Sequence, residues 1–289
     1  MKVVFIGGLT NGKIIVDYIL SQKKIELSLI ITHPKKLIIQ SHVKFSSYEK
    51  FTEVIYDLNA IKHIKKIKEI KPDLIIIAGW SGIIPEQILE IPKKGTIGFH
   101  PSLLPKDRGR SVLAWQIEEG YTETALTMFY VVSSVDSGNI IDQYKIKILK
   151  KDTIKSVLKK CDEATYKLIK KNLVSVLQNT APRKQQNHKE ATYRELRTNK
   201  NSKINWSLSS EAIYNKIRAI SDPYPCAFFY YKRKKFFVKK GDILPKKNTI
   251  KFNSNIPNGS IIKFLGKNGC IVKSSDGFIK LKTVNEIKK

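Results

Sequence analysis

The apolar residues of this chain fall first into short, β-branched runs with helical spacings between them. KVVFIGG (2–8) is an apolar run closed by two glycines, and apolar positions recur at helical intervals from Gly12 to Ser21. IELSLIITHP, closed by Pro34, is a second strand candidate. Asn59 is placed to cap AIKHIKKIKEI, whose Ile61, Ile64, Ile67 and Ile70 lie on one helical face. PDLIIIAGW and GTIGFH are two further β-branched runs. Strands alternating with helical stretches predict a parallel α/β sheet whose chemistry collects at the C-terminal strand ends.

Beyond residue 120 the pattern changes. ETALTMFYVVSS and NIIDQYKIKIL form two β runs around a turn at Val135 to Gly138, with Asp136 in the turn. Asp152 opens a helical stretch to about Gln178, and polar residues from Pro182 to Asn201 read as a linker. NWSLSSEAIYNKIRAI is a helix with Ser207 as its cap. From Cys226 onward, short runs are split by KKGD, NIPNGS, GKNG and SSDG, which predicts a small β domain. The expected fold is α/β: a Rossmann-like parallel-sheet domain over 1–180, a linker over 181–201, and a smaller β-rich domain over 202–289.

Composition narrows this only in part. The 289 residues are 42% hydrophobic, enough for one large core and a smaller one. No run of about 18 apolar residues predicts a membrane span, and no cleavage pattern follows the first strand, so the expected location is the cytoplasm. Cys161, Cys226 and Cys270 are odd in number and far apart, with neither disulfide nor metal spacing. The formal charge is +28, but of the 53 basic residues only seven are arginines, and the lysines are dispersed. That distribution reads mainly as solvated surface, leaving open an anionic partner, either a phosphorylated substrate or RNA.

Two stretches carry candidate chemistry. GGLTNGKI (7–14) has P-loop glycine spacing, but Ile14 stands where a magnesium-binding Ser or Thr belongs. It reads instead as a strand-to-helix turn whose amides can face a phosphate. Of the five histidines, His42, His63 and His188 sit in polar surroundings, and His33 closes a strand before Pro34. His100 ends a β run and opens HPSLLPKDRGR, where two prolines stiffen the loop that follows.

HPSLLPKDRG, ETALTMFYVVSSVDSGNII and IRAISDPYPCAFF together resemble the folate-dependent formyltransferases: methionyl-tRNA formyltransferase, glycinamide ribonucleotide transformylase and the sugar N-formyltransferases. The resemblance spans roughly residues 1–180, with a weaker match from about 202. It implies 10-formyltetrahydrofolate as donor, tetrahydrofolate as product, no metal, and His100 and Asp136 as catalytic residues. The chemistry suits them: an imidazole N–H can donate to a developing oxyanion, and a carboxylate can take the proton of the attacking amine. The family's folate loop matches AGWSGIIP. Gly79 and Gly82 would let the backbone approach the pterin, Trp80, Ile83 and Ile84 would wall it, and Val135 would close the opposite side. Trp80 reads equally as a core aromatic.

One departure stands out. The family has Asn two residues before the histidine, and this chain has Gly98. Losing such a donor costs about 10²–10³ in rate unless another group replaces it. Asn11, Ser81, Ser102 or a backbone N–H are the candidates.

Among acceptors, the chain resembles sugar N-formyltransferases of bacterial surface-sugar pathways most in KDRGRSVLAWQIEEG and IAGW. It lacks the Gly-Thr-Pro of the tRNA enzymes near the first strand and their basic insertion after the second, having only THPKKLIIQSHVKF. The expected acceptor is therefore a nucleotide-linked amino-deoxysugar, UDP- or dTDP-linked, its diphosphate met by Lys13, Lys106, Arg108 or Arg110. Arg108 and Arg110 have loop anchoring as an alternative. Methionyl-tRNA formylation is the second reading, and a non-catalytic RNA-binding module the third. A homodimer contact is one use open to the β-rich tail.

Overall fold

The computed structural model describes residues 1–35, 43–80, 82–245 and 255–283. Two compact units emerge, interleaved along the chain rather than set end to end. The first comprises Met1–Gly109, Thr124–Ile146 and Lys159–Arg194; the second comprises Arg110–Glu123, Lys147–Leu158 and Glu195–Lys289.

In chain order the elements are β1 (Lys2–Gly7), α1 (Leu9–Leu20), β2 (Glu26–Thr32), β3 (Val54–Tyr56), α2 (Ile64–Ile70), β4 (Leu74–Ala78), α3 (Glu86–Leu89), β5 (Thr96–His100), β6 (Arg108–Gly109), α4 (Val112–Glu118), β7 (Glu123–Tyr130), β8 (Ile140–Lys147) and α5 (Ile154–Leu177). There follow β9 (Tyr193–Arg194), α6 (Asn199–Ser202), α7 (Ser210–Ala219), β10 (Ala227–Tyr231), β11 (Lys234–Ile243), β12 (Ile261–Phe264), β13 (Gly269–Lys273) and β14 (Phe278–Thr283).

The first unit is built on a seven-stranded sheet in the order β3-β2-β1-β4-β5-β7-β8. From β3 to β5 the pairs are parallel, and β7 joins β5 antiparallel with Gly98 opposite Phe129 and His100 opposite Thr127. Val3, Val4, Phe5 and Ile6 are all wholly buried, as are Leu74, Ile75 and Ile76. A strand buried on both faces has no reason to alternate, which is why these runs are continuously apolar. The chain order 2-1-4 around the central strands puts β1, β4 and β5 side by side, with their C-terminal ends on one edge.

The second unit carries a five-stranded sheet, β10-β11-β14-β13-β12, with antiparallel pairing throughout. Helix α7 packs on β11 and β14, and also against α4. Glu118 on α4 takes ion pairs from Lys216 Nζ at 2.6 Å and Arg197 Nη2 at 2.5 Å, all three side chains largely buried.

Three local expectations are revised. Ser209, not Ser207, caps α7, accepting the Ala212 N–H at 3.2 Å. Asn59 gives no side-chain cap; a single 3₁₀ turn, Ala60–His63, precedes α2 instead. The segment expected to be a linker is ordered: β9 pairs in parallel with β6, and Gln186 is only 4% exposed. Its polar residues find partners inside the fold, which composition alone does not reveal. No helix among the described residues is long and apolar enough to cross a membrane.

Candidate active site

His100 closes β5 at the edge of the parallel strands and is 5% exposed. The loop after it is fastened from several sides. Ser102 donates its hydroxyl to the Lys106 carbonyl at 2.7 Å, and Thr127 on β7 donates to the Ser102 carbonyl at 2.6 Å. Gln143 on β8 donates to the Leu104 carbonyl at 3.0 Å. Asp107, buried and at φ +56°, donates its N–H to Thr192 and holds Arg194 Nε on its carboxylate at 2.6 Å.

This fastening places two acceptors on the imidazole. His100 Nε2 lies 2.7 Å from the Asp107 carbonyl oxygen, and Nδ1 lies 3.3 Å from Asp136 Oδ2. A carbonyl only accepts, so Nε2 is the ring nitrogen that donates here, and Nδ1 is the one turned to the Asp136 carboxylate. Asp136 Oδ2 also accepts the Gly109 N–H at 2.8 Å. Oδ1 has no bonded partner among the described residues. Asp136 sits at φ +48° in the turn between β7 and β8. Two residues on, a Cβ on Gly138 would lie 1.8 Å from the Tyr130 carbonyl oxygen, so only glycine lets the turn close there.

Gly98 is explained by its neighbours. A Cβ at that position would fall 2.8 Å from Val131 Cγ2 and 3.4 Å from Phe129 Cε1. The slot beside residue 98 is filled with hydrocarbon, and Val131 packs there with Leu104, Phe129 and Ile140.

The loop after β4 has a different character. Gly79 adopts φ +63°, and a Cβ there would meet Asn11 Oδ1 at 2.8 Å. Trp80 stacks on His33 with ring centroids 5.3 Å apart, and its Nε1 is buried without a partner among the described residues. Trp80 also packs against the core, as does Ile84. A Cβ on Gly82 would touch Trp80 Nε1 at 3.0 Å. Ile83, by contrast, is 89% exposed, and Val135 in the Asp136 turn is 55% exposed.

Several expected ligand contacts are displaced. Arg108 is 2% exposed, with its guanidinium on Gln186 Oε1 (2.6 and 3.2 Å), the Tyr193 hydroxyl (3.0 Å) and His188 Nδ1 (3.1 Å). It anchors its loop and faces no diphosphate. Ser102 is wholly buried, and its one hydroxyl proton serves the Lys106 carbonyl, so it does not replace the missing Asn. Asn11 Oδ1 accepts the Gly12 N–H. Lys13 pairs with Asp17 at 2.5 Å, a bond that raises its pKa. Lys106 is exposed in the first unit and Arg110 in the second. Ser81 and His42 lie outside the described residues. Burial pushes the Cys161 thiol up to about 12, so it is no nucleophile. No group of three or more His, Cys, Asp or Glu side chains among the described residues could hold a metal.

Sequence reasoning missed three participants: the Asp107 carbonyl, the Gly109 N–H and Gln186. The Lys-Asp-Arg-Gly run marked the first two only as loop.

Comparison with known proteins bears directly on this arrangement. Residues 1–173 match the formyl transferase family, and residues 197–289 match the formyl transferase C-terminal domain. The chain belongs to the formyl transferase family. It is a formyl-transferring enzyme, and its relatives divide over the acceptor. The chain is 36% identical over 234 residues to the bifunctional polymyxin resistance protein ArnA of Wigglesworthia glossinidia brevipalpis, aligning 80% of its own length with 35% of that protein. It is 29% identical over 291 residues to the methionyl-tRNA formyltransferase of Caldicellulosiruptor saccharolyticus, covering 98% of this chain and 91% of the relative. Among solved structures, WlaRD, a sugar 3N-formyltransferase crystallised with dTDP and 5-N-formyl-THF, superposes with a TM-score of 0.73 at 20% identity over 99% of both chains. The N-formyltransferase of Helicobacter canadensis, complexed with folinic acid and dTDP-3-aminofucose, superposes equally well at 20% identity over 98% of this chain and 99% of its own.

Proposed function

We propose that the enzyme transfers a formyl group from 10-formyltetrahydrofolate to the amine of a nucleotide-linked amino-deoxysugar, with His100 and Asp136 as its catalytic residues. The observation that carries this reading is the end-to-end match to sugar formyltransferases holding dTDP or a dTDP-amino sugar, over nearly all of both chains. A donor of this class supplies an electrophilic formyl carbon. Two features suit a flat, largely apolar ligand with a polar edge: the exposed Ile83 and Val135 side chains, and a Trp80 Nε1 without a partner among the described residues. Gly79 and Gly82 belong to the same loop.

The protein's own part is acid–base work. Asp136 is held through Oδ2 by Gly109 and His100, leaving Oδ1 to receive the proton that the attacking amine must lose. His100, pinned at Nε2 by the Asp107 carbonyl, faces Asp136 Oδ2 through Nδ1 and keeps the carboxylate aimed. With Gly98 in place of Asn and Ser102 committed, a backbone N–H, Asn11 or Ser81 is left to meet the formyl oxygen. Lys106 is an exposed cation of this loop suited to a diphosphate.

Methionyl-tRNA formylation is the second reading, favoured by methionyl-tRNA formyltransferases at 28–29% identity over 96–98% of this chain. Supplying 10-formyltetrahydrofolate with dTDP- or UDP-linked amino sugars, or with charged initiator tRNA, and following tetrahydrofolate release separates them. Release with an amino sugar is expected; release only with tRNA overturns the proposal.

A further inference from the structure

The His100–Asp136 pair brings together two loops that are distant in sequence, and a third segment joins them. Gln186 is 4% exposed, and both ends of its amide are used. Its Nε2 donates to the Asp136 carbonyl at 2.9 Å and the Gly138 carbonyl at 2.7 Å. Its Oε1 accepts from Arg108 Nη2 at 2.6 Å and Nε at 3.2 Å. Arg108 lies between Asp107, whose carbonyl holds His100 Nε2, and Gly109, whose N–H holds Asp136 Oδ2. One side chain thus ties the backbone of the aspartate turn to the residue flanked by both of the histidine loop's contacts.

We infer that Gln186 is a positioning residue for formyl transfer: it sets the His100–Asp136 geometry by clamping the Asp136 turn to Arg108. The amide is suited to this because it alone presents two N–H donors to carbonyls and an acceptor to a cation. Asp136 needs such a hold, since a non-glycine residue at φ +48° keeps that left-handed conformation only where its surroundings fix it. The guanidinium needs it equally: a buried cation with its acceptor removed is costly, so clamp and anchor are interdependent. Tyr193 and His188 complete the ring around Arg108 but touch neither Asp136 nor Gly138 through any bond described above.

Gln186→Glu separates positioning from packing. It keeps the acceptor for Arg108, improves the charge match there, and replaces the N–H donors with an oxygen that the Asp136 and Gly138 carbonyls repel. In ¹⁵N-histidine-labelled protein, with the His100 signals assigned by a His100→Asn variant, the His100 Nδ1 resonance should move, while Tm stays within a few degrees of wild type. With a dTDP-amino sugar as acceptor, kcat should fall about 10–100-fold and the donor KM stay within about twofold. If Gln186→Glu does not fold, Gln186→Leu, which also strips Arg108 of this acceptor, is read by the His100 Nδ1 resonance and by kcat, without the Tm criterion. The turnover arm rests on the proposed acceptor; the resonance arm does not, so failure of one is distinguishable from failure of the other. A Nδ1 resonance coincident with wild type, or a kcat within twofold of it, overturns the inference.

Discussion

Two regions at the strand ends of the first unit are built on opposite plans. The loop after β5 and the turn after β7 commit their polar groups to protein partners, some in each other and some in the 186–194 segment: His100, Ser102, Asp107, Arg108 and Asp136 all have fixed partners within 3.3 Å. The loop after β4 instead leaves a buried indole N–H unpartnered among the described residues and an isoleucine almost fully exposed. The first plan suits groups that must not move while a proton does; the second leaves apolar surface and a donor unspent for a ligand. Catalysis and donor binding should therefore fail separately when these loops are altered.

The largest effect is expected in the fastened loops. His100→Ala and Asp136→Asn should each lower kcat by about 10³-fold or more with little change in Tm, as read by tetrahydrofolate release and thermal unfolding. Gly98→Asn comes next and acts on stability. Its side chain meets Val131 Cγ2, so about 1–3 kcal/mol should be lost in denaturant unfolding, and Val131→Ala in the same chain should return part of it. If Gly98→Asn is neutral, the hydrocarbon filling of that slot is wrong. Ile83→Ala should raise the donor KM up to about tenfold with Tm unchanged, because the side chain is 89% exposed and, on the proposed reading, packs on the donor. Trp80→Phe keeps a ring over His33 and removes one N–H, so the donor KM should rise about threefold. A fall in kcat at constant KM for either of these last two would break the distinction between the loops.

Much of the scaffold was legible because it depends on local pattern. The β1, β4 and β5 runs are continuously apolar since both sheet faces are covered, and the β7–β8 turn follows from Asp-Ser-Gly between two β runs. The antiparallel tail was marked by its turn residues. What the sequence hid depends on partners far along the chain. Arg108 could be read as a phosphate ligand or a loop anchor, and the sequence could not choose because its acceptors lie 78–85 residues away, in a stretch whose composition reads as a linker. Gln186 was invisible for the same reason, since a polar residue in a polar segment gives no sign of burial. Gly98 looked like a missing donor; only the strand pairing that sets Phe129 opposite it, with Val131 filling the adjacent slot, shows that the space is occupied. Ser102 and the capping serine of α7 were misjudged on a smaller scale, where the choice among neighbouring hydroxyls is made by a backbone group within a few residues.

The most direct test of the whole account is single-turnover tetrahydrofolate release from 10-formyltetrahydrofolate and a dTDP-linked amino sugar, compared between wild type and Asp136→Asn. Release that requires the amino sugar and falls by about 10³-fold in the variant is predicted. Turnover of the variant within tenfold of wild type would contradict it.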